Sequence, residues 1–294
     1  MKDSLVAWAY IAAWKVLRAL PENVAYALFD RGAKLLVNRN GKSVQRLRKN
    51  LVRVKPDLTE AQMKNLLQDG MCSYMRYWCD TFRFPNWDEE RVNSTVTVTR
   101  EELLLDGIKS GRGVIVALPH AGNWDHAGAY FCLKGIHLVT VAERLKPERL
   151  FNEFLRYRQA MGMEVLPLDS RSVGTLSQRL HEGHLIALVA DRDLSKSGID
   201  VEFFGGPARM PAGPAVLALK TGAILLTAFV NYTSKGIHIT FDEISIPNSG
   251  SQEEKVSLLV QKSAKNFEDG IRKYPQDWHM LQRIWIDEDF KERS

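Results

Sequence analysis

From residue 95 onward, the sequence alternates between short apolar runs and longer segments, most of which end at a glycine. The apolar runs predict strands over 95–99, 114–118, 137–142, 165–168, 185–190 and 223–232. The longer segments predict helices over 101–110, 123–134, 147–161, 172–182, 211–221 and 253–274, and residues 236–246 predict an antiparallel addition to the sheet. Because strands that alternate with helices form right-handed crossovers, this order predicts an α/β fold with a central, mostly parallel (mixed) sheet flanked by helices.

The first part of the chain has a different pattern. Residues 1–90 predict a mostly helical segment, interrupted at Pro21 and at 38–41, with a further helix opening at Thr59. We expect the Met and aromatic residues at 71–78 to lie mainly in the core. No linker, repeat or low-complexity segment is visible. The sequence therefore predicts one domain over 1–294, in which residues 1–90 form a helical cap, associated with the membrane, on an α/β catalytic core of residues 95–294.

Positive charge is concentrated at the N-terminal end. The chain has a net charge of +5, but residues 1–53 contain eleven Lys or Arg against three Asp or Glu, which leaves +8 there and −3 on the rest. This distribution favours an anionic partner at that end. We expect no nucleic acid, because the chain has no recognition motif and its basic residues are not interleaved with stacking aromatics. The three cysteines lack metal-type spacing and favour a reducing compartment.

An apolar run at 5–14 lies among these charges. Its ten uncharged residues are too few to span a bilayer, which needs about 20, and no small-residue cleavage site follows them. Two interpretations remain open. The run is either a helix at the membrane interface, with Trp8, Tyr10 and Trp14 at headgroup depth, or a helix that caps the core. The basic stretch at 39–53 favours the membrane.

A histidine follows the second predicted strand, and an aspartate stands five positions after it. Imidazole has a pKa near neutrality, and a carboxylate on its far nitrogen fixes its tautomer, so His120 and Asp125 are candidates for base catalysis. Asn123 is a natural N-cap for the next helix, and free N–H groups from Gly122 onward are suited to stabilise an oxyanion. No Ser or Cys stands in a nucleophile motif, so we expect the nucleophile to belong to the substrate. His126 should point elsewhere, and the spacing is not that of helical zinc ligands, so we expect no metal.

Polar residues follow three predicted strands. They are His120 after the second, Glu143 and Arg144 after the third, and Asp191, Arg192 and Asp193 after the fifth. Ligands of open α/β sheets bind outside the carboxyl ends of strands, so these ends predict one site. Arg144 and Arg158 are candidates for binding phosphate or carboxylate, with Glu143 holding Arg144. The alternatives are a solvated charge run at 143–149 and an internal ion pair at 191–193.

Taken in order, these motifs resemble the lysophospholipid acyltransferase superfamily. They are His-x4-Asp at 120–125, Glu-Arg at 143–144, Asp-Arg-Asp at 191–193, and an apolar loop with Phe-Phe-Gly at 203–205 and Met-Pro-Ala-Gly-Pro at 210–214. By itself, that loop either lines an acyl chain or only closes the fold. The motifs are most similar to the lipid A late acyltransferases and the actinobacterial phosphatidylinositol mannoside acyltransferases. The stretches at 120–127, 190–194 and 278–282 favour the mannoside branch.

The resemblance implies transfer of a long acyl chain, palmitoyl for example, from acyl-CoA to a mannose hydroxyl of an anionic glycophospholipid. It places the protein at the cytoplasmic face of the plasma membrane as a peripheral protein, with acyl-CoA as co-substrate and no further cofactor. It implies that His120 is the general base, that Asp125 belongs to the catalytic motif and that Asp191 orients the histidine. It also implies headgroup contacts from a set of polar residues: Glu143, Arg144, Arg158, Arg192 and Asp193.

The residues leave several alternatives open. Either Asp125 or Asp191 bonds the imidazole of His120. Transfer is expected to be direct, and a covalent acyl-enzyme is the rival mechanism. The alternative acceptors are a lipid A precursor or a lysophospholipid. The alternative functions are a non-catalytic lipid-binding protein and a thioester hydrolase.

Overall fold

The structure, a computed structural model, describes residues 14–142, 148–169, 171–193, 195 and 197–287. Of the apolar run at 5–14, only Trp14 is described. Its indole N–H donates to the carbonyl of Phe82 at 2.7 Å, and its ring lies edge-on to the Phe82 ring. None of the helices in these ranges has the length and hydropathy needed to cross a bilayer.

The N-terminal part is helical, as predicted. Its helices are α1 (Glu22–Arg39), α2 (Lys42–Val54), α3 (Glu60–Arg83) and α4 (Glu89–Ser94), with a 3-10 turn at Phe84–Asn86. Helix α3 begins where predicted, because Thr59 and Gln62 form a reciprocal capping box. Helices α1 to α3 share an apolar core of their own, formed by Ala33, Val44, Leu47, Leu51, Met63, Leu67 and Met71.

The rest of the chain alternates strands with helices. The strands are β1 (Val96–Thr99), β2 (Val114–Leu118), β3 (Leu138–Ala142), β4 (Glu164–Pro167), β5 (Leu185–Val189), β6 (Ile199–Phe203), β7 (Gly206–Met210), β8 (Ile224–Tyr232) and β9 (Ile237–Glu243). The helices are α5 (Glu101–Lys109), α6 (Trp124–Leu133), α7 (Glu148–Ala160), α8 (Ser172–His181), α9 (Gly213–Thr221) and α10 (Gln252–Lys273).

In the described part of the chain, seven strands form the central sheet in the order β1-β9-β8-β2-β5-β3-β4. The five strands from β8 to β4 are parallel to one another, and β9 pairs with β8 in the antiparallel direction. Strand β1 is parallel to β9. This confirms the mostly parallel sheet and the antiparallel addition. Strands β2, β5 and β3 are neighbours, so their carboxyl ends meet at one edge.

The segment around 203–210 differs from its prediction as a loop. Strands β6 and β7 form a separate antiparallel hairpin in which Phe203 pairs with Gly206. The two turn residues, Phe204 and Gly205, both have positive φ (48° and 71°), as a tight primed turn between twisted strands requires. Phe203 and Phe204 are buried in the core beside Trp278, so these two rings close the fold.

Candidate active site

The His120 imidazole is bonded to Asp191. Its Nδ1 lies 2.6 Å from Asp191 Oδ1, and the His120 backbone N–H donates to Asp191 Oδ2 at 3.0 Å. His120 follows β2 and Asp191 follows β5, the neighbouring strand, so the parallel pairing of the two strands brings them together. The Asp191 side chain is 0% exposed, whereas that of His120 is 37% exposed. The partner of the histidine is therefore Asp191, which was one of the two alternatives.

This bond determines which nitrogen is available for chemistry. The carboxylate accepts the Nδ1 proton, so Nε2 carries the lone pair and is the nitrogen left for a substrate. Burial raises the pKa of Asp191, but the neighbouring charge of His120 and the hydrogen bonds from His120 and Trp278 outweigh burial. The pKa of Asp191 therefore lies below its usual value, and the carboxylate stays ionised. In the part of the chain that the structure describes, the hydrogen bonds of His120 join its backbone N–H and Nδ1 to Asp191 and its carbonyl oxygen to the His279 N–H, and none of them involves a hydroxyl or thiol.

Asp125 has a different set of partners. Its Oδ1 accepts from Arg158 Nε at 2.9 Å, and its Oδ2 accepts from the Tyr77 hydroxyl at 3.0 Å. The Asp125 side chain is 4% exposed and that of Arg158 is 21% exposed. The interpretation in which Asp125 bonds the imidazole is therefore wrong. Asp125 instead joins α6 to α7 and α3 beside the histidine. Arg158, a candidate for binding a phosphate or carboxylate of a ligand, pairs here with a carboxylate of the protein itself.

Several polar groups of the turn between His120 and α6 are hydrogen-bonded to other groups of the protein. Asn123 caps α6 as predicted, since its side chain accepts from the His126 N–H at 2.9 Å, and its amide nitrogen donates to Asp80 at 3.2 Å. The Gly122 N–H donates to the carbonyl of Asp277 at 2.9 Å. The Gly122 N–H is therefore used within the protein, contrary to the expectation that it faces an oxyanion, and the Asn123 side chain is used as a cap.

Two other N–H groups are better placed for an oxyanion. Trp124 and Asp125 form the first turn of α6, where backbone N–H groups have no intrahelical acceptor. Neither N–H bonds to another described residue. Both residues line the same cavity as His120. The N-terminus of α6 therefore offers donors next to the histidine.

A cavity of about 980 Å³ opens at this edge of the sheet. Its polar residues include His120, Asp125, Arg158, Arg192 and Asp193, so the structure brings most of the predicted site residues together. Glu143 and Arg144 lie outside the described residues. Asp193 is held by its own turn, since its Oδ1 accepts from the Ser195 N–H at 2.7 Å.

Apolar side chains form most of the cavity wall. One part lies between the sheet and α6, with Phe131, Met163 and Phe241, and another lies beside α9, with Pro211 and Leu217. The loop at 210–214 therefore lines the cavity, whereas the rings of Phe203 and Phe204 do not. Tyr74, Tyr77 and Trp78 of α3 also line it, although the sequence favoured the core for them.

Two histidines near the site are neutral. His126 points away from His120, as predicted, and lies between Phe84 and Trp87, and burial lowers its pKa to about 4. His279 lines the cavity, its Nε2 is 2.9 Å from the Ser73 hydroxyl, and burial with the nearby His120 charge lowers its pKa to about 3. His279 was not predicted as a site residue, because it lies far along the chain from the strand ends.

Comparison with known proteins gives the class. Residues 1–286 match the model of the bacterial lipid A biosynthesis acyltransferase family, and the chain belongs to that family. This confirms the resemblance drawn from the motifs. Among its relatives, the phosphatidylinositol mannoside acyltransferase of Mycolicibacterium smegmatis is 39% identical over 280 residues, which are 94% of this chain and 90% of that protein. The phosphatidylinositol mannoside acyltransferase of Mycobacterium tuberculosis H37Rv is 38% identical over 284 residues, 95% of this chain and 88% of that protein.

Proposed function

We propose that the protein transfers a long acyl chain, palmitoyl for example, from acyl-CoA to a mannose hydroxyl of a phosphatidylinositol mannoside. The observation that carries this proposal is the His120–Asp191 pair at a large, mostly apolar cavity, in which no hydroxyl or thiol of the described residues is hydrogen-bonded to the imidazole. A base without a protein nucleophile suits a substrate hydroxyl as the attacking group. The relatives' names supply the acceptor.

The reaction needs one base and one oxyanion site. His120 Nε2 takes the proton of the acceptor hydroxyl while its oxygen attacks the thioester carbonyl carbon. The N–H groups of Trp124 and Asp125 stabilise the oxyanion. The C–S bond then breaks, and the CoA sulfur takes the proton back from Nε2, so that an ester and free CoA leave. The Asp191 carboxylate stabilises the imidazolium throughout, and no acyl-enzyme forms.

The cavity accounts for the donor's acyl chain. Its volume lies at the upper end of the range typical of ligand pockets, about 300–1,000 Å³, and its walls beside His120 are mostly apolar. Arg192 and Arg158 stand at the same edge of the sheet, and their positive charge suits the anionic headgroups. The Asp193 carboxylate can accept from hydroxyl groups of the acceptor. Acyl-CoA is the co-substrate, and the reaction as written uses no other cofactor.

A surface of α1 supports association with a membrane. Val24, Leu28 and Leu35 are 40%, 45% and 50% exposed, and their spacing places them on one face of the helix. Arg31 lies between Leu28 and Leu35 on that face, and it is also exposed. An apolar stripe with cations suits the interface of an anionic leaflet. This surface supports the part of the proposal in which the protein is peripheral, at the cytoplasmic face of the plasma membrane.

An acceptor screen tests the proposal. The protein is incubated with palmitoyl-CoA and one acceptor at a time: a phosphatidylinositol mannoside, a lipid A precursor or a lysophospholipid. Products and free CoA are measured by mass spectrometry. We expect acylated mannoside with an equal amount of CoA, and a roughly 10²–10⁴-fold slower reaction in His120→Ala. His181→Ala, an exposed histidine on α8, is the matched control and should keep wild-type turnover.

Each other outcome contradicts part of the proposal. Near-wild-type turnover of His120→Ala would show that His120 is not the general base. CoA release at the same rate without acceptor indicates a thioester hydrolase, and binding without turnover indicates a lipid-binding protein. An acylated protein caught in rapid-quench samples indicates a covalent mechanism. If only another acceptor is acylated, the proposed acceptor is wrong, whereas the proposed transfer by His120 still holds.

A further inference from the structure

The segment at 277–279 lies against the loop that carries His120, although it is distant in sequence. The His279 N–H donates to the His120 carbonyl at 2.7 Å, and the Gly122 N–H donates to the Asp277 carbonyl at 2.9 Å. Between these bonds, Ala121 and Trp278 form an isolated antiparallel bridge. The backbone of the His120 loop is thus paired with this segment.

The indole of Trp278 reaches the catalytic carboxylate. Trp278 is fully buried, and its Nε1–H donates to Asp191 Oδ2 at 2.9 Å. The same oxygen accepts the His120 backbone N–H, and the other oxygen, Oδ1, faces the imidazole. Two donors on Oδ2 therefore prevent the carboxylate from rotating, and they keep Oδ1 directed at Nδ1.

We propose that Trp278 is a positioning residue of the transfer reaction, whose indole N–H holds the Asp191 carboxylate in the orientation that binds the His120 imidazole. This inference rests on the proposed role of His120 as the base. Trp278 is the first residue of the Trp-His-Met-Leu-Gln stretch at 278–282, and the proposed transfer reaction assigns it no other role.

The N–H dipole also affects the acidity of the pair. Its positive end faces Asp191, so its removal raises the pKa of that carboxyl group and weakens the hold of the carboxylate on the imidazole. Among the described residues, the other charged or titratable groups that share the cavity with His120 are His279, which is neutral, and Tyr74, Tyr77, Asp125, Arg158, Asp169, Arg192 and Asp193. A change confined to the Trp278 ring leaves all of them in place.

The test compares Trp278→Phe with a matched control, Trp285→Phe. Trp285 lies in the same apolar cluster, contacts the same Phe203 ring and donates its Nε1–H to a buried acceptor, Asn50 Oδ1, at 3.0 Å. Both variants lose one indole N–H bond and a similar ring volume, but only Trp278 touches Asp191. The measurements are melting temperature and kcat and kcat/KM for acyl transfer from pH 5 to pH 9.

We expect both variants to melt at lower temperature. Only Trp278→Phe should lose kcat, by roughly tenfold or more, the value of a hydrogen bond to a charged group. The acid limb of its kcat/KM profile should also shift, by on the order of half a pH unit, relative to that of Trp285→Phe. If Trp278→Phe keeps the rate and the acid limb of Trp285→Phe while His120→Ala is inactive, Trp278 is structural and the inference is wrong. An active His120→Ala overturns the proposed function instead.

If Trp278→Phe does not fold, the inference is tested by NMR on protein that keeps Trp278. Protein with ¹⁵N-labelled tryptophan is titrated by NMR in a Trp124→Phe background, because the Trp124 ring lies 5.7 Å from His120. One indole N–H signal should titrate with the midpoint of the acid limb, and this titration should be absent when His120→Ala is added. If no indole signal behaves in this way, the inference is wrong.

Discussion

At the scale of the residue, Asp125 and Asp191 have separate tasks beside His120. Asp191 binds the imidazole, whereas Asp125 binds Arg158 and Tyr77. Both carboxylates are buried, so each needs its own set of donors. The aspartate that is nearer in sequence to His120 therefore stabilises the surroundings of the histidine, and the more distant one acts on the imidazole itself.

The ion pair between Asp125 and Arg158 gives a stability prediction. Asp125→Asn leaves the mostly buried guanidinium without its anion, so we expect the free energy of unfolding to fall by about 2–4 kcal/mol. Adding Arg158→Met should recover part of this loss, because the uncompensated charge is then gone. Urea unfolding measures both changes. Glu153→Gln, which breaks an exposed pair with Arg156, is the control and should have little effect. An equal loss in Asp125→Asn and Glu153→Gln would contradict the role of the buried pair.

At the scale of the element, the turn from β2 into α6 depends on one glycine. Gly122 has φ +58°, and a Cβ added there would lie 2.5 Å from the Val230 carbonyl oxygen of β8. The loop that carries His120 is therefore pressed against the neighbouring strand, and only a residue without a side chain fits.

This contact predicts that Gly122→Ala affects both stability and activity. Gly135 is a matched control, since it has φ +79° but no atom within 4 Å of an added Cβ. Gly135→Ala should cost only the left-handed backbone strain, about 1–2 kcal/mol, with no loss of turnover. Gly122→Ala should cost more and lose acyl transfer, because the His120 loop must move. Thermal unfolding and the transfer assay measure the two effects. Equal losses of stability and turnover in the two variants would contradict the close contact between Gly122 and Val230.

The elements themselves were largely predictable from the sequence. Apolar runs followed by glycine marked the strands and helices, and Gly111 and Gly183 have the left-handed φ of 72° and 82° expected after a helix. The hairpin of β6 and β7 was not predicted, because Pro207 and the preceding glycine pair are typical of a loop. The strands form because Phe203 is buried in the core, and local sequence does not show this contact. The choice of Asp191 over Asp125 depends on β5 lying beside β2, and local spacing carries no information about strand order. The contacts of Trp278 are equally non-local.

At the scale of the whole molecule, the apolar stripe on α1 predicts a measurable membrane affinity. The double variant Leu28→Ser with Leu35→Ser removes two exposed leucines from the proposed surface. Leu133→Ser with Leu258→Ser removes two that are similarly exposed elsewhere, at 39% and 44%. Binding to vesicles containing anionic lipid is measured by co-sedimentation. The first pair should weaken binding roughly tenfold or more, and added salt should weaken it further. Equal binding by the two double variants would exclude α1 as the membrane surface.

Buried histidines also make the stability of the whole molecule depend on pH. Burial lowers the pKa of His126 to about 4 and that of His279 to about 3, from an ordinary 6.5. Below pH 6.5 the unfolded chain therefore binds protons that the folded chain does not, and the free energy of unfolding falls as pH falls. Burial raises the pKa values of Asp80 and Asp277. Because the folded chain then binds protons more readily than the unfolded chain, these two carboxyl groups make the free energy of unfolding rise as pH falls. A single-residue variant is therefore needed to isolate one histidine.

The variant His126→Gln isolates the contribution of His126 to the pH dependence of stability. Between pH 6 and pH 4.5, a buried histidine with the lowered pKa of His126 decreases the free energy of unfolding by about 1 kcal/mol per pH unit. The variant removes one such group, so its free energy of unfolding should fall less steeply than that of the wild type, by about that amount per unit. Urea unfolding at pH 7, 6, 5 and 4.5 gives the slopes. His181→Gln, at an exposed position, should keep the wild-type slope. If His126→Gln has the wild-type slope as well, the imidazole of His126 is protonated in the folded protein, and its neutrality between Phe84 and Trp87 is wrong.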